Sequence, residues 1–358
     1  MNTRPGNRTG IREVAQKAKV SVSSVSRVIT NHPDVSEAMR ERVQAAIKAL
    51  GYEPDILAQS LRRGSTRTVG FLVSDISNPL YSEIALGAER VLNEAGYAML
   101  IANSQGAADR DAVQLRLLSQ RRVDGLILSL SDETDPKTIA QLNVLECPFV
   151  LLDREVDGIK TAAVLSNHAE GIRAAALHLM HLGHRRIGFI GGNQTARPTR
   201  ARRDALMQVA REHRGVRVYV EDQSFTAGHG EAGASLLLDL TDPPTALIAG
   251  GNQILVGILR VIRRRGLSVP GNLSLVTCDR VPLSEFLEPP LATLERDHHQ
   301  MGRVAAEHLL SILDGDPPAT LYLPVTFDPK ESCGPPGGIR PEAHRNLTRR
   351  ASGRMEER

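Results

Sequence analysis

From Thr68 onward, short and continuously apolar runs alternate with amphipathic stretches, and this alternation restricts the fold more than any other feature of the chain. Runs at 69–73, 97–102, 125–130, 149–153, 187–191, 216–220, 246–249 and 273–277 read as strands, and helical periodicity is visible near 82–95 and 109–121. A strand that is apolar at every position must be covered on both faces, which implies parallel sheets with helices on either side. There are too many such units for one small sheet. The expectation is an α/β body of two doubly wound lobes, with any ligand bound beyond the carboxyl ends of the strands.

The first fifty residues follow a different period. Val14, Ala15 and Ala18 share one helical face, and Val25, Val28 and Ile29 recur at helical spacing a few residues later. Two short helices joined by a turn at Lys19-Val20 satisfy both patterns. Ser21 is placed to cap the second helix by accepting from an early backbone N–H. Val22, Ser23, Ser26 and Arg27 then face outward near its N-terminal end. A third helix is expected from about Ser36, with Val43, Ala46, Ile47 and Leu50 as its apolar face, ended by Gly51 and Pro54. Spacing alone leaves an ordinary helical hairpin and a helix-turn-helix as equal readings.

Charge separates the two parts. Residues 1–64 carry 11 Lys/Arg against 6 Asp/Glu and residues 335–358 carry 6 Arg against 3 Glu, so the stretch between is net acidic on a chain of formal charge +3. A basic head on an acidic body suits a head that meets phosphates. Three cysteines, Cys147, Cys278 and Cys333, suggest neither a disulfide framework nor a zinc motif, and a reducing cytoplasm fits them. No apolar run approaches the roughly 20 residues of a membrane span, and no secretory leader is visible.

The head resembles the lactose/purine repressor (LacI/GalR) family. The residues that carry the resemblance are Gly10-Ile11-Arg12-Glu13-Val14-Ala15, Ala18-Lys19-Val20-Ser21, Ser24-Val25-Ser26-Arg27-Val28-Ile29-Thr30, Val35-Ser36 and Leu50-Gly51-Tyr52-Glu53-Pro54. Departures are Gly10 for Thr, Lys19 for the turn Gly, Thr30 for Asn and Asp55 for Asn. Further stretches match in the body: Asp75-Ile76-Ser77-Asn78-Pro79-Leu80-Tyr81, Gln120 through Ile127, Leu182 through Gly191, and Pro289 through Leu294. The resemblance implies a helix-turn-helix domain at 10–54, a hinge helix at 55–64, a bilobal periplasmic-binding-protein-like domain for ligand binding and dimerisation at 65–334, and a basic tail at 335–358, read as disordered from its composition.

It also implies site residues. Val22 and Ser23 fall where the family reads bases. Arg27 can reach a base or a phosphate, and Ser21 and Ser26 are phosphate-contact candidates. Leu61 takes the place of a hinge leucine that wedges into the minor groove, and Ala58 would face the partner's hinge helix. By the same match Asp75, Asn78, Tyr81, Asp153, Arg154, Arg202, Phe225, Asn252 and Asp279 line the ligand, with Arg203 as the competitor of Arg202. For Asn78 and Asp153 a helix cap is the plain alternative, and for Phe225 a core position. His178, His181 and His184 do not share one helical face, and His298 and His299 are adjacent, so no metal is expected.

The expectation is therefore a cytoplasmic, ligand-responsive repressor that binds double-stranded operator DNA as a homodimer, with a tetramer as the alternative. Its effector would be a small sugar or sugar derivative, or else a nucleobase-like corepressor. An enzyme on a doubly wound fold is the rival class, but no glycine-rich dinucleotide turn, phosphate loop or nucleophile elbow is present, and no cofactor is expected. A transport-associated sugar receptor would need export and would have no use for the head.

Overall fold

The computed structural model describes residues 10–29, 32–52, 64–281 and 286–337. The expected hinge helix with Ala58 and Leu61, and nearly all of the expected tail, lie outside them. Contacts divide the chain into two units, 1–66 and 67–358.

The first unit is built on α1 (Ile11–Ala18), α2 (Val22–Ile29) and α3 (Glu37–Leu50). Their apolar faces meet in one small core of Val14, Ala15, Ala18, Val25, Val28, Val43 and Ala46. The turn forms without its glycine. Lys19 closes α1 in the left-handed region at φ 53°, and the Val20 N–H reaches back to Ala15 O at 3.0 Å. A side chain in that conformation costs about 1 kcal/mol relative to glycine, which the core and the closing hydrogen bonds offset.

The second unit holds two six-stranded sheets. Lobe 1 has the order β11-β5-β4-β3-β1-β2, all parallel, from β1 (Thr68–Val73), β2 (Ala98–Asn103), β3 (Gly125–Leu128), β4 (Phe149–Leu152), β5 (Ala162–Ser166) and β11 (Thr320–Leu323). Lobe 2 has the order β12-β10-β9-β8-β6-β7, from β6 (Arg186–Gly191), β7 (Arg217–Asp222), β8 (Ala246–Ala249), β9 (Ser274–Cys278), β10 (Ala292–Glu295) and β12 (Thr326–Asp328). It is parallel except for the pairing of β10 with β12. Both sheets are wound by helices: α4 (Pro79–Glu94), α5 (Ala108–Gln120) and α6 (Pro136–Asn143) in lobe 1, and α7 (His168–His181), α8 (Arg197–Glu212), α9 (Ala227–Leu238) and α10 (Asn252–Arg264) in lobe 2.

The chain crosses between the lobes three times: after β5, after β10 and between β11 and β12. The second crossing leads into α11 (His298–Leu313), which packs on α4 and so belongs to the core of lobe 1. That packing is close because of two glycines. A Cβ on Gly302 would lie 1.9 Å from Ile84 O, and one on Gly87 would lie 2.0 Å from His299 O. The two backbones touch at positions where no side chain fits, and this seats the crossing after β10 between the lobes.

Candidate functional site

In the head, Ser21 accepts from the Ser24 N–H at 3.1 Å, the cap expected of it, and shares its hydroxyl with those of Ser23 (2.7 Å) and Ser24 (2.8 Å). Val22 is 39% exposed at the first turn of α2. Ser23 and Arg27 are exposed and Ser26 is half-buried. The outward face of α2 is therefore the one anticipated from its spacing: one apolar contact, several hydroxyls and one cation.

In the body, the strand ends of both lobes converge on one cleft. Asp75, Asn78, Tyr81, Asp153, Arg154, Arg202, Phe225 and Asp279 all line it, joined by Ser129, Arg296 and Met301. Asn252 stands beside the lining, its Nδ2 donating to Asn78 Oδ1 from across the cleft at 3.2 Å. Asn78 also caps α4 by accepting from the Leu80 N–H. Arg203, by contrast, turns to Asp204 (3.1 Å) and Asp222 (3.3 Å).

Each side chain is fixed by its neighbours. The buried Tyr81 hydroxyl bonds to Ser74 Oγ at 2.6 Å and Ser129 Oγ at 2.8 Å. Asp75 accepts from the N–H and the hydroxyl of Ser77. Arg154 donates to the carbonyls of Leu130 and Asp153 and pairs with the buried Glu133 at 3.7 Å. Phe225 joins an apolar cluster of lobe 2 and also lines the cavity. Its ring lies where a Cβ on Gly192 would come within 2.3 Å, so only glycine allows it.

At the centre is a charge relay between the lobes that no strand-end motif announced. Asp153 follows β4 and Asp279 follows β9, both with positive φ. Arg296, at the second crossing, donates Nε to Asp279 at 2.7 Å and Nη1 to Asp153. Asp153 also accepts from Ser166, His168 and Arg197, and Asp279 from His298. Asp153 and Asp279 were expected to offer their carboxylates to a ligand, and here both are engaged by protein donors. Burial works against the charge on Asp153, but His168, Arg296 and the Ser166 N–H outweigh it and hold the carboxyl well below its usual range. Burial is likewise outweighed at Asp279 by Arg296, His298 and Arg202. His168 is pushed down to about 3, first by burial, so at neutral pH its ring is uncharged. Arg296, Arg197 and His168 escaped the sequence reading. Arg296 directly follows β10, whose sequence Ala-Thr-Leu-Glu is not continuously apolar and so was not singled out as a strand.

Of the histidines weighed as metal ligands, His184 and His298 have hydrogen-bond partners. His184 is buried between Thr245 (2.8 Å), Ser274 (2.9 Å) and Gly334 O (2.8 Å), and ties the end of the described chain to lobe 2. Among the described residues, no helix is long and apolar enough to cross a membrane.

These two sites can be set beside known proteins. Residues 10–55 match the model for bacterial regulatory proteins of the lacI family, and residues 176–333 match that for a periplasmic binding protein-like domain. The chain is 31% identical over 303 residues to the HTH-type transcriptional repressor PurR of Aliivibrio salmonicida, covering 84% of this chain and 91% of that protein. It is 31% identical over 303 residues to the ribose operon repressor of Escherichia coli, covering 84% and 92%. The fold is shared with the lac repressor dimer bound to operator and the anti-inducer ONPF, at a TM-score of 0.81 and 24% identity over 92% of this chain and 100% of that one. Head and cleft together, over most of the chain's length, place this protein in the lacI family of bacterial regulatory proteins.

Proposed function

We propose that the protein is a repressor whose grip on an operator is set by a small molecule in the interlobe cleft. The observation that carries this reading is the pairing, in one chain, of an outward helix-turn-helix face with a cleft lined by polar strand-end groups. In the head, α2 enters the major groove. Val22 contacts a thymine methyl, Ser23 and Arg27 reach bases, and Ser21 and Ser26 approach phosphates. The segment 55–64 serves as the hinge, with Leu61 wedging a base step and Ala58 against its mate. The effector lies among Asp75, Asn78, Tyr81, Asp153, Arg154, Arg202, Phe225 and Asp279, with Asn252 bridging at its edge. The protein works by binding and not by catalysis, on DNA and therefore in the cytoplasm.

A homodimer follows from the small head, since two half-sites one helical turn apart multiply a weak single contact. The edge strand β2 supports it. Leu100 and Ile101 are 39% and 47% exposed there, apolar surface at an unpaired sheet edge that a second copy can cover. Sedimentation of the full chain at micromolar concentration tests this: a dimer is expected, and a monomer that still binds one isolated half-site tightly refutes it. The repressor reading itself is tested by DNA affinity against salt. Specific binding should fall steeply as salt rises, and replacing Arg27 with Ala should weaken it.

A further inference from the structure

One guanidinium touches both lobes from the crossing that joins them. Arg296 stands between β10 and α11, and its side chain is 7% exposed. Its Nε donates to Asp279 Oδ1 of lobe 2 at 2.7 Å. Its Nη1 donates to Asp153 Oδ2 of lobe 1 and, at 3.0 Å, to Ser166 Oγ of the same lobe. Both carboxylates are presented from unusual backbone. Asp153 and Asp279 have φ of 51° and 88°, a region that non-glycine residues enter only where surrounding contacts hold them.

A ligand closes a two-lobed cleft by bonding to both walls at once. Arg296 makes that set of bonds with the chain's own atoms, and charge-assisted bonds are the strong kind. Little space is left beside it. The cavity encloses about 70 Å³, against roughly 300–1,000 Å³ for a small-molecule site. The lobes therefore stand shut around a protein group. Without that cation, a buried carboxylate on each wall would lose a shared counter-charge, and the two walls would repel.

We propose that Arg296 is a built-in occupant of the cleft, a tethered guanidinium that takes a ligand's place and shuts the two lobes without a small molecule. Closure is then a property of the chain, and its balance is moved by whatever parts Arg296 from Asp153 or Asp279. The proposal goes beyond the effector reading and does not depend on it.

The test is hydrogen exchange of the full chain and of Arg296→Ala, read at two kinds of amide. The Glu133 N–H donates to Thr195 O at 3.3 Å and the Arg197 N–H to Glu133 Oε1 at 2.6 Å, so both are bonded only while the lobes are together. The amides of β1 and β6 are paired within single lobes. Arg296→Ala should speed exchange at Glu133 and Arg197 by about 10–100-fold, the effect of a lost charge-assisted bond on an opening equilibrium, and leave β1 and β6 as in the parent. Ethylguanidinium, the part of the side chain that this substitution removes, should restore slow exchange at millimolar concentration. Ethylammonium should not, because it lacks the planar fork. Arg296→Lys keeps the charge without the fork and should show the same local rise to a smaller degree, which keeps the test open if Arg296→Ala does not fold. Parent-like exchange at Glu133 and Arg197 in these variants overturns the proposal. So does a rise in Arg296→Ala that ethylguanidinium leaves unreversed, whether local or spread to β1 and β6. No effector enters the experiment, so either result leaves the regulator reading as it stands.

Discussion

Glu133 of lobe 1 reaches the first turn of α8 in lobe 2, where its carboxylate accepts from the Arg200 guanidinium at 2.7 Å and from the backbone N–H of Arg197 at 2.6 Å. It is 3% exposed and also pairs with Arg154 of its own lobe. A carboxylate at a helix N-terminus is favoured by the unpaired N–H groups there. With the contact between Asn78 and Asn252 and the bridge through Arg296, it fastens the two lobes across the cleft. Any effector that changes the lobe arrangement must act against or through these contacts.

Removing that carboxylate should loosen the lobes. Glu133→Ala leaves Arg154, itself buried, without its counter-charge, and should cost about 3 kcal/mol, the lower end for a broken buried pair because Arg154 keeps two carbonyl partners. Urea unfolding measures the cost, and hydrogen exchange should show faster opening at the start of α8. Unchanged stability and exchange would mean that the contact contributes nothing to closure.

Close backbone approach makes a second prediction. Gly302→Ala forces a methyl group to within 1.9 Å of Ile84 O and should destabilise the body by about 1–3 kcal/mol, as overpacked cores do. Because α11 continues from the crossing that carries Arg296, effector affinity should fall too. A thermal melt matching the parent's would show that α4 and α11 can part without cost.

Lys19 permits a test in the opposite direction. Lys19→Gly should stabilise the head by about 1 kcal/mol, since φ 53° carries no Cβ penalty for glycine. Amide exchange in α1 and α2 reads this directly. Faster exchange in the variant would place the strain elsewhere.

The cleft also makes stability depend on pH. His168 has its pKa lowered to about 3 by burial, below its ordinary value near 6.5, so the unfolded chain binds the extra proton between those limits. The contribution is fully present above about pH 6.5 and is lost as pH falls toward 3. Asp153 and Asp279 add a further loss below the ordinary carboxylate range, since both are lowered in the fold. His168→Gln keeps an N–H donor but does not titrate. Its stability should therefore fall less than the parent's between pH 7 and 4, and parallel curves would show that His168 is not the group responsible.

What the chain discloses by itself follows the range of its interactions. The helix pair was legible because Val14, Ala18, Val25 and Val28 recur at helical spacing within residues 14–28, with the resemblance deciding for a helix-turn-helix, and β1, β4, β8 and β9 because a strand covered on both faces is largely apolar. The strands β5, β10, β11 and β12 were not singled out. β11 shows why: Thr320–Leu323 lies at the edge of lobe 1, largely exposed, and pairs with β5 from the far end of the chain. The same division holds in the cleft. Asp153, Arg202 and Asp279 could be placed from strand ends and resemblance, and they do share one cavity. That Arg296 ties Asp153 to Asp279 depends on where the second crossing runs, which no local pattern encodes.

The central claim, that this chain is a ligand-controlled operator-binding protein, is tested most directly by selecting duplexes from a random pool with the full-length protein, with and without a panel of sugars, sugar derivatives and nucleobases. The account predicts enrichment of a pseudo-palindrome with half-sites about one helical turn apart, bound at least about 10³-fold tighter than random DNA, with that preference raised or abolished by one member of the panel. Equal affinity for selected and random duplexes, unmoved by every compound, would contradict it.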